Sequence, residues 1–173
     1  MLPNLPQAGS PIESFLKWEN EVIAAIGDSQ EHNSIWACWQ ANEGLCITAK
    51  EKRFADYDLA KKEFQQQGLE IAARRSGGTT VPHGDGIIAL THIAKSHRPK
   101  NISQAYLEFC RNIQNVLSSL GFETHVGAAK GAYCDGDYNV LINGLKLAGT
   151  SQRWTRAGID RTEIVLNLSL IHI

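Results

Sequence analysis

One long amphipathic segment, residues 101–120, constrains the fold more than any other feature of the chain. Its apolar residues recur at helical spacing and form one stripe that Gly121 ends. The members of this stripe are Ile102, Tyr106, Phe109, Ile113, Val116, Leu117 and Leu120. A helix with one apolar face is stabilised mainly by packing that face against an apolar surface. We therefore expect this helix to cover a sheet.

Short β-prone runs on both sides of the long helix supply the strands. Residues 34–40 and 45–49 flank Asn42-Glu43-Gly44, which resembles a hairpin loop, so the two runs are expected to pair. Asn143-Gly144 lies between two further runs and is the preferred sequence of a two-residue type I′ turn. The sequence therefore predicts two antiparallel hairpins, one before and one after the long helix.

Two more helices are expected in the N-terminal half. Ser10 is a candidate N-cap, Glu13 can complete a capping box, and the apolar spacing that follows continues to Gly27. Residues 56–67 predict a second helix that is partly exposed. Because helices and strands interleave irregularly, the predicted fold class is α+β (mixed α/β).

Size, charge and hydropathy indicate one domain over residues 1–173. With 43% hydrophobic residues, the chain has room for one core. It carries 17 basic and 18 acidic residues, so no net field is available to hold nucleic acid or an anionic membrane, and neither is expected as a partner. No apolar run is long enough to span a bilayer, and no signal-peptide pattern begins the chain. These features predict a cytoplasmic protein.

The four cysteines form no metal-ligand pattern. Cys38, Cys46, Cys110 and Cys134 include no C-x-x-C pair and have no histidine-rich companion, so no metal site is expected. The first three fit small buried side chains, the usual role of a free cysteine. Cys134 differs because a turn surrounds it, and not a periodic strand.

The C-terminal run, residues 164–173, ends without a polar or charged tail. An edge strand normally carries some protection against pairing with another chain. We therefore expect either that the native chain continues past this point or that the tail is not native.

A glycine-rich turn, Arg74-Arg75-Ser76-Gly77-Gly78-Thr79-Thr80, lies between predicted strands at 69–73 and 86–93. Guanidinium groups and unhindered backbone N–H groups can surround one phosphate or carboxylate. The turn matches neither the P-loop nor the dinucleotide pattern. Taken alone, it favours a tight turn with two solvated arginines.

Two motifs in the same order resemble one family. Residues 74–83 resemble the arginine and glycine-rich signature of lipoate-protein ligases and octanoyltransferases. Residues 131–153 resemble that family's second segment, with its Gly-x-Lys-x-x-Gly and Gln-Arg elements. The resemblance runs from about Ile12 to Gly158. It implies the fold of biotin and lipoate protein ligases, a class II synthetase-like mixed sheet flanked by helices.

The resemblance also implies a site. The family's essential lysine corresponds to Lys146, and Tyr133-Cys134-Asp135-Gly136 resembles the cysteine loop of transferases that pass an acyl group through a thioester. The residues implied or expected to bind substrate are Arg75, Gly77, Gly78, Thr79, Thr80, Val81, His83, Asn139 and Gly149. The alternative role for His83 is a hydrogen-bonding filler, and the alternative role for Asn139 is to hold the loop.

Spacing alone does not bring Cys134 to Lys146. In an ideal hairpin about Asn143-Gly144, Lys146 faces Leu141, which leaves Cys134 roughly 20 Å away at strand rise. Asp135-Gly136 is a strong turn pair and permits the chain to fold back. The proximity of the cysteine and the lysine is therefore an expectation from the resemblance.

Three functions remain open from the sequence. In the leading one, Cys134 takes an octanoyl or lipoyl group, for example from acyl-carrier protein, and passes it to a lysine of a lipoyl-domain protein. Acceptors would be 2-oxoacid dehydrogenase subunits or the glycine cleavage H protein, and no cofactor is permanently bound. The first alternative is a ligase that uses ATP with Mg, in which Lys146 and the turn at Arg75 bind lipoyl-adenylate. The second is a non-catalytic acyl-binding or scaffold protein. Typical ligases have a third glycine where Thr79 stands, which favours the thioester route.

Overall fold

The computed structural model describes residues 2–95 and 101–155, together with the backbone of residues 159–167. Its helices are α1 (Ile12–Asp28), α2 (Tyr57–Gln66) and α3 (Ile102–Ser119), with a 3-10 helix at Glu51–Arg53. Its strands are β1 (Ser34–Trp39), β2 (Gly44–Thr48), β3 (Glu70–Arg74), β4 (Val81–His83), β5 (Ile87–Lys95), β6 (His125–Gly127), β7 (Asn139–Ile142), β8 (Leu145–Trp154) and β9 (Ile159–Asn167). This combination confirms the predicted α+β class.

The described strands form two sheets. The larger has the order β1-β5-β9-β8-β7-β6, and all neighbouring strands in it are antiparallel. The smaller has the order β3-β2-β4, in which β2 is parallel to β3 and antiparallel to β4. Strand β9 lies between β5 and β8. The part of the C-terminal run that ends at Asn167 therefore lies inside the sheet and not at its edge, contrary to the expectation. Residues 168–173 lie outside the described part of the chain.

The predicted hairpin at residues 34–49 is wrong, because its two strands belong to different sheets. Strand β1 pairs with β5 in the larger sheet, and β2 lies in the smaller one. A Cβ added to Gly44 would lie 2.5 Å from the carbonyl oxygen of Glu70 and 2.9 Å from Ile12. This glycine therefore permits close packing at the start of β2 and does not form a hairpin turn.

Helix α1 has the predicted position but a different cap. Its N-cap residue is Pro11, and neither Ser10 nor Glu13 supplies the expected capping box. The backbone N–H groups of Ile12 and Glu13 instead donate to the carboxylate of Glu70, at 2.6 and 2.9 Å. A carboxylate at a helix N-terminus satisfies free N–H groups and opposes the positive end of the helix dipole. This contact joins α1 to the start of β3.

Helix α3 covers the larger sheet, as the apolar stripe predicts. Its buried residues Phe109, Cys110 and Ile113 pack in one cluster with Val140 and Leu147 from β7 and β8. The ends of the stripe are exposed, namely Ile102, Val116 and Leu120. None of the helices in the described residues is long and apolar enough to cross a membrane.

Candidate active site

The hairpin of β7 and β8 positions Lys146. Asn143 and Gly144 have φ values of 52° and 77°, as a type I′ turn requires, and Leu141 pairs with Lys146. Lys146 is 6% exposed, and its ammonium donates hydrogen bonds to the carbonyl oxygens of Tyr133 and Cys134, both at 2.8 Å. The chain therefore folds back and brings the cysteine loop to the lysine.

Asp135 organises the cysteine loop. Its Oδ1 accepts hydrogen bonds from the N–H groups of Ala129 and Gly136 and from the side-chain amide of Asn139, at 2.8 to 2.9 Å. Asn139 also donates to the carbonyl oxygen of Gly136 at 2.7 Å. Asn139 thus holds the loop, one of the two roles expected for it. Asp135 was not predicted as a site residue, although its Asp-Gly turn pair is a visible signal.

Cys134 is held in an unusual backbone conformation with its sulfur facing the glycine-rich turn. Its φ is 44°, a left-handed value that costs a residue with a Cβ roughly 1–2 kcal/mol. The side chain is half-buried, and Sγ accepts a hydrogen bond from the N–H group of Thr79 at 3.2 Å. A donor aimed at sulfur binds the thiolate more strongly than the neutral thiol. This arrangement suits a nucleophile.

The buried arginine of the glycine-rich turn is Arg74. Its guanidinium donates to the carbonyl oxygens of Cys46 at 2.6 Å, Gly77 at 3.0 Å and Thr79 at 2.6 Å. Gly78 has a φ of 98°, and a Cβ there would lie 3.0 Å from Arg74 Nη2 and 3.1 Å from Cys134 Sγ. A side chain at Gly78 would therefore force both groups to shift slightly, so the turn fits closely around the sulfur.

Thr80 faces away from the sulfur and contacts Glu51. Its N–H and hydroxyl groups donate to Glu51 Oε1 at 2.9 and 2.7 Å, while Thr48 donates to the other carboxylate oxygen. Burial raises the pKa of Glu51, but these hydrogen bonds outweigh burial and hold it below its usual value. Glu51 thus links the turn to the end of β2. Thr80 supports the turn, and this contact places it outside the cavity beside Cys134.

Two further residues expected to bind substrate, Arg75 and His83, are not brought to Cys134. Arg75 follows Arg74, and alternation along the strand sends its exposed side chain to the opposite face. There it lines a groove with α1 and α2. His83 is buried and stacks on Trp39, with ring centroids 5.2 Å apart. Sequence reasoning selected Arg75, whereas Arg74 borders the cysteine.

A small cavity joins the cysteine, the lysine and the turn. Its volume is about 30 Å³, and Gly77, Val81 and Gly149 are among its lining residues with Cys134 and Lys146. A Cβ at Gly149 would lie 3.0 and 3.1 Å from Cε and Nζ of the lysine, so this glycine makes room for that side chain. Ligand sites commonly have roughly 300–1,000 Å³. This cavity is therefore too small by itself to hold an octanoyl chain.

The electrostatics of the site centre on Lys146. Burial lowers the pKa of this ammonium, and the neighbouring Cys134 and Asp135 side chains act in the opposite direction. The Nζ atom also lies 4.8 Å from the centre of the Tyr133 ring, which favours the charged form. Among the residues that the structure describes, no group of three or more His, Cys, Asp or Glu side chains could hold a metal ion.

The sequence matches a family model across most of its length. The model is the lipoyl protein ligase A/B catalytic domain, and it matches residues 12–168. The chain belongs to this family. Because the match includes the glycine-rich turn, the cysteine loop and Lys146, the site described above lies within the family domain.

Relatives with curated sequences include named octanoyltransferases. The octanoyl-[GcvH]:protein N-octanoyltransferase of Kyrpidia tusciae is 39% identical over 87 residues, which cover 50% of this chain and 30% of the relative. The enzyme of the same name from Geobacillus kaustophilus is 27% identical and covers 82% and 50%. An uncharacterized protein of Cupriavidus necator, H16_B0148, is 37% identical and covers 78% and 56%. The chain spans about half the length of the curated relatives it matches.

Solved structures share the fold. The crystal structure of lipoate-protein ligase A bound with ATP has a TM-score of 0.72 at 15% identity and covers 93% of this chain and 67% of that one. The structure of LipL1 from P. falciparum in complex with lipoate has a TM-score of 0.66 at 17% identity and covers 92% and 46%. At these identities the likeness confirms the ligase-like mixed fold and nothing more specific.

Proposed function

We propose that this protein is an acyltransferase of protein lipoylation that passes an octanoyl group through a thioester on Cys134. The observation that carries the proposal is the position of Cys134 Sγ, which accepts the Thr79 N–H group at 3.2 Å while Lys146 holds the carbonyl oxygen of the same cysteine at 2.8 Å. The sulfur, which has a backbone N–H donor, and Lys146 thus line one small cavity. The names of the octanoyltransferase relatives support octanoyl as the group transferred.

The first step forms the thioester. The Cys134 thiolate attacks the octanoyl carbonyl carbon of a protein donor, a C–S bond forms, and the donor's amide C–N bond breaks. The donor nitrogen takes up one proton from solvent and leaves as a neutral lysine amine. Negative charge that develops on the carbonyl oxygen during attack is stabilised by the Lys146 ammonium, since preorganised donors near a developing oxyanion lower the barrier. The relatives' names contain octanoyl-[GcvH], where GcvH is the glycine cleavage H protein, and this supports an octanoylated H protein as the donor.

The second step restores the thiolate. The neutral amine of an acceptor lysine attacks the thioester carbonyl, a C–N bond forms, and the C–S bond breaks. One proton leaves the amine as the amide forms. The acceptor is proposed to be a lipoyl domain, which is supported by the structure of a related archaeal lipoate protein ligase with its E2 lipoyl domain. The reaction takes place in the cytoplasm.

The contact between Thr79 and Cys134 supports the thioester route over an adenylate route. An adenylate phosphate would need backbone N–H donors of the glycine-rich turn. In this chain the Thr79 N–H group donates to sulfur, and a Cβ at Gly78 would already lie 3.1 Å from the same atom. The turn therefore fits the cysteine side chain at the position where a phosphate would approach.

Transfer assays without ATP test the proposal. The intact protein is incubated with octanoylated H protein and a lipoyl domain, and the acceptor is followed by mass spectrometry. We expect transfer without ATP by the wild type and none by a folded Cys134→Ser variant, because a hydroxyl is far less nucleophilic than a thiolate at neutral pH. A parallel reaction with octanoyl acyl-carrier protein tests the other donor. Transfer that requires ATP and survives Cys134→Ser would replace the proposal with ligation, and no transfer under any condition would leave a non-catalytic protein.

A further inference from the structure

A second polar region lies on the other side of β3 from the cysteine. It is a groove of about 830 Å³ between α1, α2 and β3, and Arg75 lies on its wall. Its floor includes the apolar residues Leu16, Ile71 and Ala73. The proposed chemistry uses no residue of this groove, although the sequence motif contains Arg75.

The groove is richer in cations than the chain as a whole. Lys17, Lys52, Lys61 and Arg75 line it, against the two carboxylates of Glu13 and Glu21. The formal balance is therefore four positive minus two negative, or +2, on a chain whose net charge is −1. Lys17 pairs with Glu21 at 3.9 Å. Within the described residues, Lys52, Lys61 and Arg75 have no carboxylate within 4.0 Å.

The size and layout of the groove fit a protein surface better than a small anion. A site for one phosphate gathers its donors around a single point. Here the cations come from α1, the 3-10 helix, α2 and the residue after β3, and they surround an apolar floor. A polar, charged rim around an apolar centre is the usual composition of a protein interface.

We propose that this groove docks the octanoylated H protein that donates the acyl group, and that it binds carboxylates on the surface of that protein. The inference rests on the proposed function. Arg75 lies at the start of the glycine-rich turn whose other face contacts Cys134, so a carrier in the groove lies beside the element that borders the nucleophile. Complementary charges at an interface rim raise the association rate and select the partner. The groove thus contributes recognition, and the cysteine side contributes chemistry.

A matched pair of charge-reversal variants tests the docking. Lys52→Glu with Lys61→Glu reverses two groove cations, while Lys50→Glu with Lys62→Glu makes the same change in net charge on exposed residues outside the groove lining. Binding of octanoylated H protein to each intact protein is measured by titration at low and high ionic strength. We expect the groove variant to bind about tenfold more weakly at low ionic strength and the control to bind within about twofold of the wild type.

Three results would overturn the docking proposal. They are equal binding by the groove variant and the wild type, no binding by the wild type, and displacement of the H protein by inorganic phosphate far more effectively than by chloride at equal ionic strength. The last would identify a phosphate site. Failure of the proposed function has a different signature, since acylation of Cys134 by p-nitrophenyl octanoate needs no carrier. If the wild type binds H protein through the groove but neither substrate acylates Cys134, the docking stands and the proposed chemistry fails.

Discussion

The cations on the two sides of β3 differ in burial and in hydrogen bonding. On the cysteine side, Arg74 donates to three carbonyl oxygens and Lys146 to two, and both side chains are buried. On the groove side, Lys52 and Arg75 extend into solvent and have no carboxylate within 4.0 Å in the described part of the chain. Fixed cations suit chemistry, because their geometry is set before the substrate arrives. Exposed, solvated cations suit recognition.

Removing the fixed ammonium should have the largest effect. Lys146→Met keeps most of the side-chain length but loses the charge and both hydrogen bonds, so we expect transfer to fall by about 10²–10³-fold or more. The free energy of unfolding should fall by only about 1–3 kcal/mol, because the part-buried carbonyl oxygens of Tyr133 and Cys134 lose their donor. Transfer rate and urea denaturation are measured together. A folded Lys146→Met protein with near wild-type rate would remove the functional difference between the two faces.

The lowered pKa of Lys146 predicts that the transfer rate falls at alkaline pH. Burial lowers the pKa of Lys146, so its ammonium is lost at a lower pH than that of a solvated lysine. Transfer should therefore decline as pH rises, and the decline should begin below the pH at which exposed lysines titrate. A pH–rate profile on the wild type and Lys146→Arg checks the assignment, since the arginine stays charged and should remove this decline from whatever activity remains.

Cys134 and Cys110 should differ in their reactivity toward alkylation. Burial raises the pKa of Cys110 to about 11, so at pH 8 only about one molecule in a thousand carries that thiolate. Cys38 is exposed and not buried as expected, although partial burial raises the pKa of its thiol. Cys134, beside an ammonium and a backbone donor, should be alkylated first by iodoacetamide, and peptide mass mapping identifies each site. Equal rates at Cys134 and Cys110 would argue against a nucleophilic role for Cys134.

Adjacent arginines allow the most direct stability comparison. Arg74→Ala deletes the three hydrogen bonds of a buried guanidinium, so the free energy of unfolding should fall by about 2–4 kcal/mol. Arg75→Ala removes an exposed side chain and should change it by less than about 0.5 kcal/mol. Urea denaturation of both variants provides the measurement. An equal decrease in the free energy of unfolding for both variants would show that the buried and the exposed arginine contribute alike to stability.

Loosening the cysteine loop should have the smallest effect on transfer. Asp135→Ala removes the acceptor of three hydrogen bonds, and we expect Cys134 acylation to slow by about tenfold because the sulfur is less well positioned. Asp135→Asn keeps an oxygen acceptor and should recover part of the rate. Asp137→Ala, which removes the same charge from an exposed neighbour, is the control. If Asp137→Ala slows acylation as much as Asp135→Ala, charge and not positioning explains the effect.

Local features of the fold could be predicted from the sequence, and long-range pairings could not. Helix α3 and the turn at Asn143-Gly144 depend on neighbouring residues, so their patterns were sufficient. Strand β1 pairs with β5, where Trp36 lies opposite His92, and no local signal identifies so distant a partner. The cap of α1 likewise comes from Glu70, 58 residues after Ile12.

The candidate site divides in the same way. Motif resemblance selected Cys134 and Lys146, and the fold brings the lysine to the backbone of the cysteine loop. The resemblance also selected Arg75, but the register of β3 decides which arginine is buried, and that register depends on pairing with β2. Asp135 was missed because its role comes from three contacts that exist only when the loop is closed.

Mass spectrometry of the acylated protein tests the central claim most directly. The intact protein is mixed with octanoylated H protein without ATP and without acceptor, quenched in acid, and digested for peptide mapping. The account predicts one octanoyl group on the peptide that contains Cys134, and hydroxylamine should remove it. In a parallel sample that receives a lipoyl domain before the quench, the group should leave Cys134 and appear on that domain. If Cys134 carries no octanoyl group although the lipoyl domain becomes octanoylated, the account is contradicted, because Cys134 then does not carry the acyl group.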